Sequence, residues 1–327
     1  MTRALALAGR RLVAAVPVLL IVAIGCFALL EAAPGDAVDA YVGATGGDAG
    51  LMQALRERWG LEGGPLPRLG HYLWSLAHLD LGHSVAFARP VRDIVLERLP
   101  NTLLLMGAAT ALAFGLGTGL GILAGARPGS VRDRALSISA LALHAVPGFW
   151  LGLVLILLFS VQLRWLPGSG IETVASGLTG TARALDIARH LVLPVAALGL
   201  IYLALYLRVM RAGMVEVWPQ DFIRAARARG LSRRAIVLGH VARNALLPVV
   251  TLLGLQAAAM FGGSVVVESV FAVPGLGRLA HEAVAARDTP LLLGIILASA
   301  VLVLAVNLAV DLIYAALDPR VGAAERA

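Results

Sequence analysis

The sequence contains no lysine, a single cysteine and few charged residues, and each shortage excludes something. All 27 basic residues are arginine. A phosphate-binding loop of the G-x-x-x-x-G-K-[ST] type needs its lysine on the phosphates, and a Schiff-base site needs a lysine amine, so this chain supplies neither. Cys26 stands alone inside the first apolar run, which excludes an intrachain disulfide or a thiolate metal cluster and leaves packing as its expected role. Charged residues make up 14% of the chain, where a soluble domain carries about a quarter. With 59% hydrophobic residues and a mean hydropathy of +0.85, the chain belongs in lipid. Its 327 residues would suffice for two soluble domains, but several apolar runs near the roughly 20 residues needed to cross a bilayer supersede that expectation.

The net charge of +7 and pI near 10.6 raise the question of nucleic acid. The arginines sit in loops between apolar runs, without the compact basic surface and stacking aromatics of a nucleic-acid module, so no nucleic-acid partner is expected. Their distribution reports orientation in the bilayer instead.

Six runs are long enough to span: Leu12 to Leu30, Thr102 to Gly125, Ala135 to Ser160, Leu191 to Met210, Leu246 to Val267 and Leu291 to Leu317. The fifth contains Gln256 and several glycines. Arg10 and Arg11 precede the first run, which reads as a span or, given the small residues after Glu31, as a cleaved signal peptide; either reading places the following segment outside. Residues 31 to about 100 are polar and turn-rich. Within them Leu51 to Trp59 and Leu69 to Leu79 have the mixed character of short amphipathic helices. Residues 1–100 are therefore read as an N-terminal span plus a small periplasmic segment, and 101–320 as a five-helix core with a cytoplasmic loop over 211–245.

Sixteen arginines fall on the side of the termini, of Ala126 to Arg134 and of the loop Arg211 to Asn244; five fall in the two short loops opposite. The positive-inside rule then puts both termini in the cytoplasm. Six glycines from Gly107 to Gly125 create G-x-x-x-G spacings at 115/119, 117/121 and 121/125, which suit either packing inside the subunit or a moving contact with another.

A catalytic site is not expected. His281-Glu282 is followed by Ala285 where H-E-x-x-H needs its second ligand, Gly262-x-Ser264 lacks the closing glycine, and Gly168-Ser169-Gly170 has no base nearby in sequence. No metal ligand set is expected either. The polar residues within apolar runs are His144, Gln256, Glu268, Asn307 and Asp311. Asn307 and Asp311 share a helix face and are expected to form a structural polar pair with Arg208 or Arg211, in preference to an ion relay. His144, Gln256 and Glu268 are candidates for the lining or gate of a translocation path, with Glu268 expected at the outer boundary of its span, within reach of water.

The cytoplasmic loop carries the most information. Pro219 and Asp221 suit the first turn of a helix, Gly230 the left-handed residue beyond its end, and Ser232 the cap of a second helix. Ala225, Ala226 and Ala228 give the first helix a small-residue surface that a partner's groove could approach, ringed by Arg224, Arg227 and Arg229. The plainer reading is an interfacial anchor.

Here the residues resemble a known family. Arg224-Ala225-Ala226, Gly230 and Leu247-Pro248 stand where type I ABC importer permeases carry the E-A-A, G and later apolar-Pro positions of the EAA motif, with Arg224 in place of the glutamate. Pro34-Gly35-Asp36, Asp80-Leu81-Gly82-His83-Ser84, Arg89-Pro90-Val91, Leu99-Pro100-Asn101-Thr102, Glu268-Ser269-Val270-Phe271, Pro274 to Arg278, Arg287-Asp288 and Asp318-Pro319-Arg320 are similar to the dipeptide, oligopeptide and nickel branch. The resemblance implies an all-α polytopic permease of the bacterial inner membrane with about six transmembrane helices. It implies a transporter subunit and not an enzyme, pairing with a homologous permease, seated on two ATPase subunits that bind ATP and Mg, and receiving solute from a periplasmic or lipoprotein binding protein. No cofactor is implied for this chain. The ATPase-coupling residues it points to are Asp221, Arg224, Ala225, Ala226, Arg227, Ala228 and Gly230.

Peptide is the expected solute, although Leu73-Trp74 and His78-Leu79-Asp80 resemble the nickel permeases more. Two alternatives stay open: an ion-gradient-driven secondary transporter, which calls for inverted repeats, broken spans and paired intramembrane charges, and a non-transporting scaffold.

Overall fold

A computed structural model describes residues 2–32, 50, 53 and 64–317 of the chain. The described elements are α1 (Thr2–Ala32), α2 (Pro65–Ala77), the two-residue strands β1 (His83–Ser84) and β2 (Arg89–Pro90), and α3 (Val91–Gly125). Next come α4 (Val131–Ala145), α5 (Gly148–Leu155, continued by a wide π turn over Ile156–Gln162), α6 (Gly180–Val217) and α7 (Asp221–Ala228). Then α8 (Arg233–Ile236) runs through a second π turn, Val237–Ala242, into α9 (Arg243–Val270), followed by α10 (Leu276–Ala285) and α11 (Thr289–Leu317). Among the described residues, five helices are long and apolar enough to cross a membrane, and six if the bent pair α4 and α5 counts as one span, so the expectation of about six holds. The 38 residues of α6 extend about 57 Å at 1.5 Å each, well beyond the ~30 Å hydrocarbon core, so its ends project past the lipid.

Two compact units emerge. The described residues up to Pro100 join Gly275–Leu312 in one, and Asn101–Pro274 makes up most of the other. In the first, α1, α2 and α11 meet through Ala23, Cys26, Leu293 and Leu297, with Tyr72, Leu73 and Leu76 against them. Cys26 is buried, as a packing residue should be. Of the two expected amphipathic helices, the later one forms as α2, begun by Pro65 at its first position; Leu51 to Trp59 lies outside the described residues. The hairpin β1–β2, with His83 opposite Pro90 and Ser84 opposite Arg89, was not anticipated. It is held by Asp288, whose carboxylate accepts from Ser84 Oγ and, at 2.9 Å, from the Ala86 N–H while also capping α11 at Leu291 N. Sequence distance hid that contact.

In the second unit α6 is the central helix, with Tyr206, Met210 and Met214 fully buried. Lipid tails are as apolar as leucine, so burial here gains little by transfer, and close packing and interhelical hydrogen bonds must hold the helices together. Gly117, Gly121 and Gly125 of α3 meet α6 so closely that a Cβ on them would lie 2.7 Å from Leu203 O, 2.6 Å from Met210 Cβ and 2.7 Å from Met214 Cβ respectively. Gly115 and Gly119 have nothing within 4 Å. One glycine stripe is thus a packing face inside the unit and the other is open.

The structure corrects two expectations about elements. The third run is not one straight helix: α4 and α5 bend by 101° at Val146-Pro147. Pro147 has no N–H to donate and pushes Val146 out of the helical region, to φ −78° and ψ 128°. A pair bent in this way forms either a broken span, one of the features the secondary-transporter alternative called for, or a re-entrant loop. Second, the loop after α6 is shorter than 211–245. α6 continues to Val217, and the second helix begun by Ser232 does not stop but runs through the π turn at Val237–Ala242, which contains Gly239, into α9 with no proline before Pro248.

Candidate functional site

The loop between α6 and α8 is built from its ends inward. Pro219 follows the last turn of α6 and Asp221 opens α7. After Ala228 the helix closes with the Gly230 N–H on Arg227 O at 2.9 Å and the Leu231 N–H on Ala226 O at 3.3 Å. That pair of bonds needs a residue with positive φ between them, and Gly230 supplies φ +77°. Ser232 then caps α8, its Oγ accepting from Ala235 N at 3.3 Å. The expected helix, break and second cap are all present.

The faces of α7 differ from the expectation in one respect. Ile223 and Ala226 are buried in the same apolar cluster as Met214, Ile236 and Val241. Ala226 therefore serves the subunit's own core and is not part of the surface a partner would touch. Asp221, Phe222, Arg224, Ala225, Arg227, Ala228, Arg229 and Gly230 are exposed. Arg224 pairs with Asp221 at 3.3 Å, but the side chains are 73% and 93% exposed, so the pair contributes little stability.

Two residues that sequence reasoning passed over, Trp218 and Arg233, tie this loop to the turn between α3 and α4. Trp218 donates from Nε1 to Gly125 O at 2.7 Å, and the guanidinium groups of Arg227 and Arg233 lie 5.2 and 5.7 Å from the centre of its ring. Arg233 also donates to Ala126 O at 2.9 Å. Beside them the Asp133 carboxylate, 1% exposed, accepts from both Nε and Nη2 of Arg211, from Gly129 N at 2.8 Å and from Ser137 Oγ. Ser130-x-x-Asp133 is a legible helix-start pattern, and Ser130 Oγ does accept from Asp133 N. Its pairing with Arg211, distant in sequence, was not legible.

That pairing also corrects the expected partner of Asp311. Arg211 is engaged by Asp133, and Asp311 meets Arg11 at 2.9 Å. Asn307 lies one turn before it on α11, partly buried. Nor is Glu268 at a watery boundary. It is fully buried, and Thr102 Oγ1 donates to its carboxylate at 2.8 Å, because α9 continues to Val270 and α3 covers it. Asn101 Nδ2 reaches Pro274 O at 2.7 Å nearby. Gln256 is partly buried on α9, and His144 is exposed just ahead of the bend. Among the described residues, no group of three or more His, Cys, Asp or Glu side chains could hold a metal ion.

The second segment with ordered polar structure precedes α6. The Thr173 N–H and hydroxyl both donate to Asp186, at 2.6 and 2.9 Å. Arg183 Nε lies 2.6 Å from Glu172 and holds its carboxyl below the usual range. Val174 stands 91% exposed at the tip.

Long apolar helices, a short helix with an arginine-ringed face and a covered core beneath it define a polytopic helical membrane protein. A family model described as binding-protein-dependent transport system inner membrane component matches residues 117–323. The oligopeptide transport system permease protein AppB of Bacillus subtilis is 38% identical over 95% of this chain and 98% of its own length. The di/tripeptide transport system permease protein DppB of Pseudomonas aeruginosa is 37% identical over 95% and 97%. Among solved structures, the MetNI methionine ABC transporter in an inward-facing conformation shares the fold, with TM-score 0.55 and 19% identity over 69% of this chain and 96% of that one. This chain belongs to the binding-protein-dependent transport system inner membrane component family. The resemblance to type I ABC importer permeases is thereby confirmed in family and fold, and its relatives are permease subunits, not enzymes.

Proposed function

We propose that this chain is one permease subunit of an ATP-driven, binding-protein-dependent importer of di- or oligopeptides in a bacterial inner membrane. The likeness to AppB and DppB along nearly the whole chain carries this reading. A homologous permease completes the translocation path, two ATPase subunits bind ATP and Mg, and a binding protein delivers the solute. The exposed face of α7, with Asp221, Arg224, Ala225, Arg227, Ala228 and the Gly230 turn, seats on an ATPase subunit. Both termini and this loop face the cytoplasm, as the arginine distribution supports. His144 and Gln256 line the path, Glu268 braces the end of α9, and Asp311 anchors α1 through Arg11.

Uptake tests the reading. In vesicles holding the whole complex and its binding protein, labelled dipeptide should enter only when ATP is present on the ATPase side. Entry driven by an ion gradient without ATP would instead support a secondary transporter, absence of flux a scaffold, and ATP-dependent uptake of nickel with none of dipeptide a metal importer.

A further inference from the structure

We infer that Trp218 is the joint through which movement of α7 reaches the membrane-spanning part of this subunit, a positioning role that rests on the importer reading above. Four observations converge on this one side chain. Its Nε1–H is bonded to Gly125 O, the last carbonyl of α3, so the ring is tied to the end of a spanning helix and not to its own loop. Arg227, in the last turn of α7, lies against the ring from one element, and Arg233, in the first turn of α8, from another. Arg233 then grips the next carbonyl, Ala126 O. The backbone on which Trp218 sits is the end of α6, its N–H bonded to Met214 O.

The indole is partly buried, which favours its hydrogen bond, whereas Arg227 and Arg233 are exposed, so their cation–π contacts are of the weaker surface kind. Any tilt of α7 carries Arg227 with it. The ring must then follow or lose that contact, and if it follows it pulls on Gly125 O. From there the chain has little slack: Ser130 and Asp133 fix the start of α4, and Arg211 locks Asp133 to α6. The displacement therefore passes along α3 and into α4, toward the break at Val146-Pro147. Gly125 is packed against Met214 with no room for a Cβ, so the carbonyl that Trp218 holds is backed by α6 and cannot simply give way.

The test compares transport with hydrolysis. Trp218→Ala removes ring and donor, whereas Trp218→Phe keeps an aromatic face for the arginines and removes only the N–H. Each variant is reconstituted with its permease partner, ATPase subunits and binding protein, and peptide uptake and ATP hydrolysis are measured in the same vesicles. Peptide taken up per ATP should fall roughly tenfold for Trp218→Ala and severalfold for Trp218→Phe, the scale of one lost hydrogen bond and weakened cation–π contacts, while hydrolysis and capture of the ATPase subunits persist. An unchanged ratio in Trp218→Phe together with Trp218→Ala, or loss of assembly in both, would overturn the joint and make Trp218 a packing residue. If only Trp218→Ala fails to assemble, the ratio for Trp218→Phe decides. Wild-type vesicles that fail to import with ATP would overturn the importer reading, and the joint with it.

Discussion

Gly230 and Asp133 show two ways in which a single residue can matter at this site. A Cβ added at Gly230 would meet nothing within 4 Å, so any cost of substitution lies in the backbone, at φ +77°. Gly230→Ala should lower stability by about 1 kcal/mol and Gly230→Asn by less, read as thermal midpoints in detergent. Asp133 is the reverse case, a buried charge with its partner. Asp133→Ala leaves Arg211 without its carboxylate, and because Arg211 retains access to water the loss should be about 2 to 3 kcal/mol, below the full figure for a buried pair. A double-mutant cycle with Arg211→Ala checks it: near-additive losses would mean that the pair stabilises nothing. Gly230 was readable from its position after an arginine-rich helix. The pairing of Asp133 was not, since a lone acid between Arg132 and Arg134 gives no hint of a residue on a helix far along the chain.

At the scale of elements, the two glycine stripes of α3 make opposite predictions. Gly121→Ala places a methyl 2.6 Å from Met210 Cβ and should cost about 1 to 3 kcal/mol by overpacking, reducing the amount of folded subunit in the membrane. Gly119→Ala meets no atom and should be neutral or favourable, since alanine is the better helix former. Equal yields of the two variants in quantitative blots would contradict the α3–α6 packing. The spacing pattern announced both stripes but not which one is covered. For α7, burial of Ala226 changes which substitution tests docking. Ala226→Glu would damage the subunit's own core, whereas Ala225→Glu alters only the exposed face. With α7 seated on an ATPase subunit, Ala225→Glu should leave subunit levels unchanged and weaken ATPase capture in detergent pull-downs; undiminished capture would reduce α7 to an interfacial anchor.

For the whole molecule the open question is orientation. Cys26 is buried, so a Cys26→Ser background gives a silent chain into which reporters can be placed. Val174→Cys should react with an impermeant maleimide added outside intact cells, and Arg234→Cys should react only after the membrane is opened. The reverse pattern would invert the proposed topology and take the docking assignment with it. Many leucines, isoleucines and valines of α1, α3 and α5 are exposed along the helices. In a soluble protein such surfaces would be an aggregation liability, and in a bilayer they are the expected boundary with lipid or a neighbouring subunit.

Hydropathy and arginine placement determined by themselves that this chain lives in a membrane, about how many times it crosses and which loop carries the distinctive helix. These properties follow from the local cost of placing each residue type in lipid or water, and a one-dimensional pattern contains that cost. The third span shows where such reading stops: its apolar length was right, but only the fold reveals the 101° bend that Pro147 imposes. Tertiary structure alone decided that Asp133 holds Arg211, that Arg11 holds Asp311, that Glu268 is enclosed, and that Trp218 reaches Gly125. Each depends on which helix faces meet, and for helices in lipid that choice is made by close packing and a few hydrogen bonds between residues far apart in the chain, which no local pattern encodes.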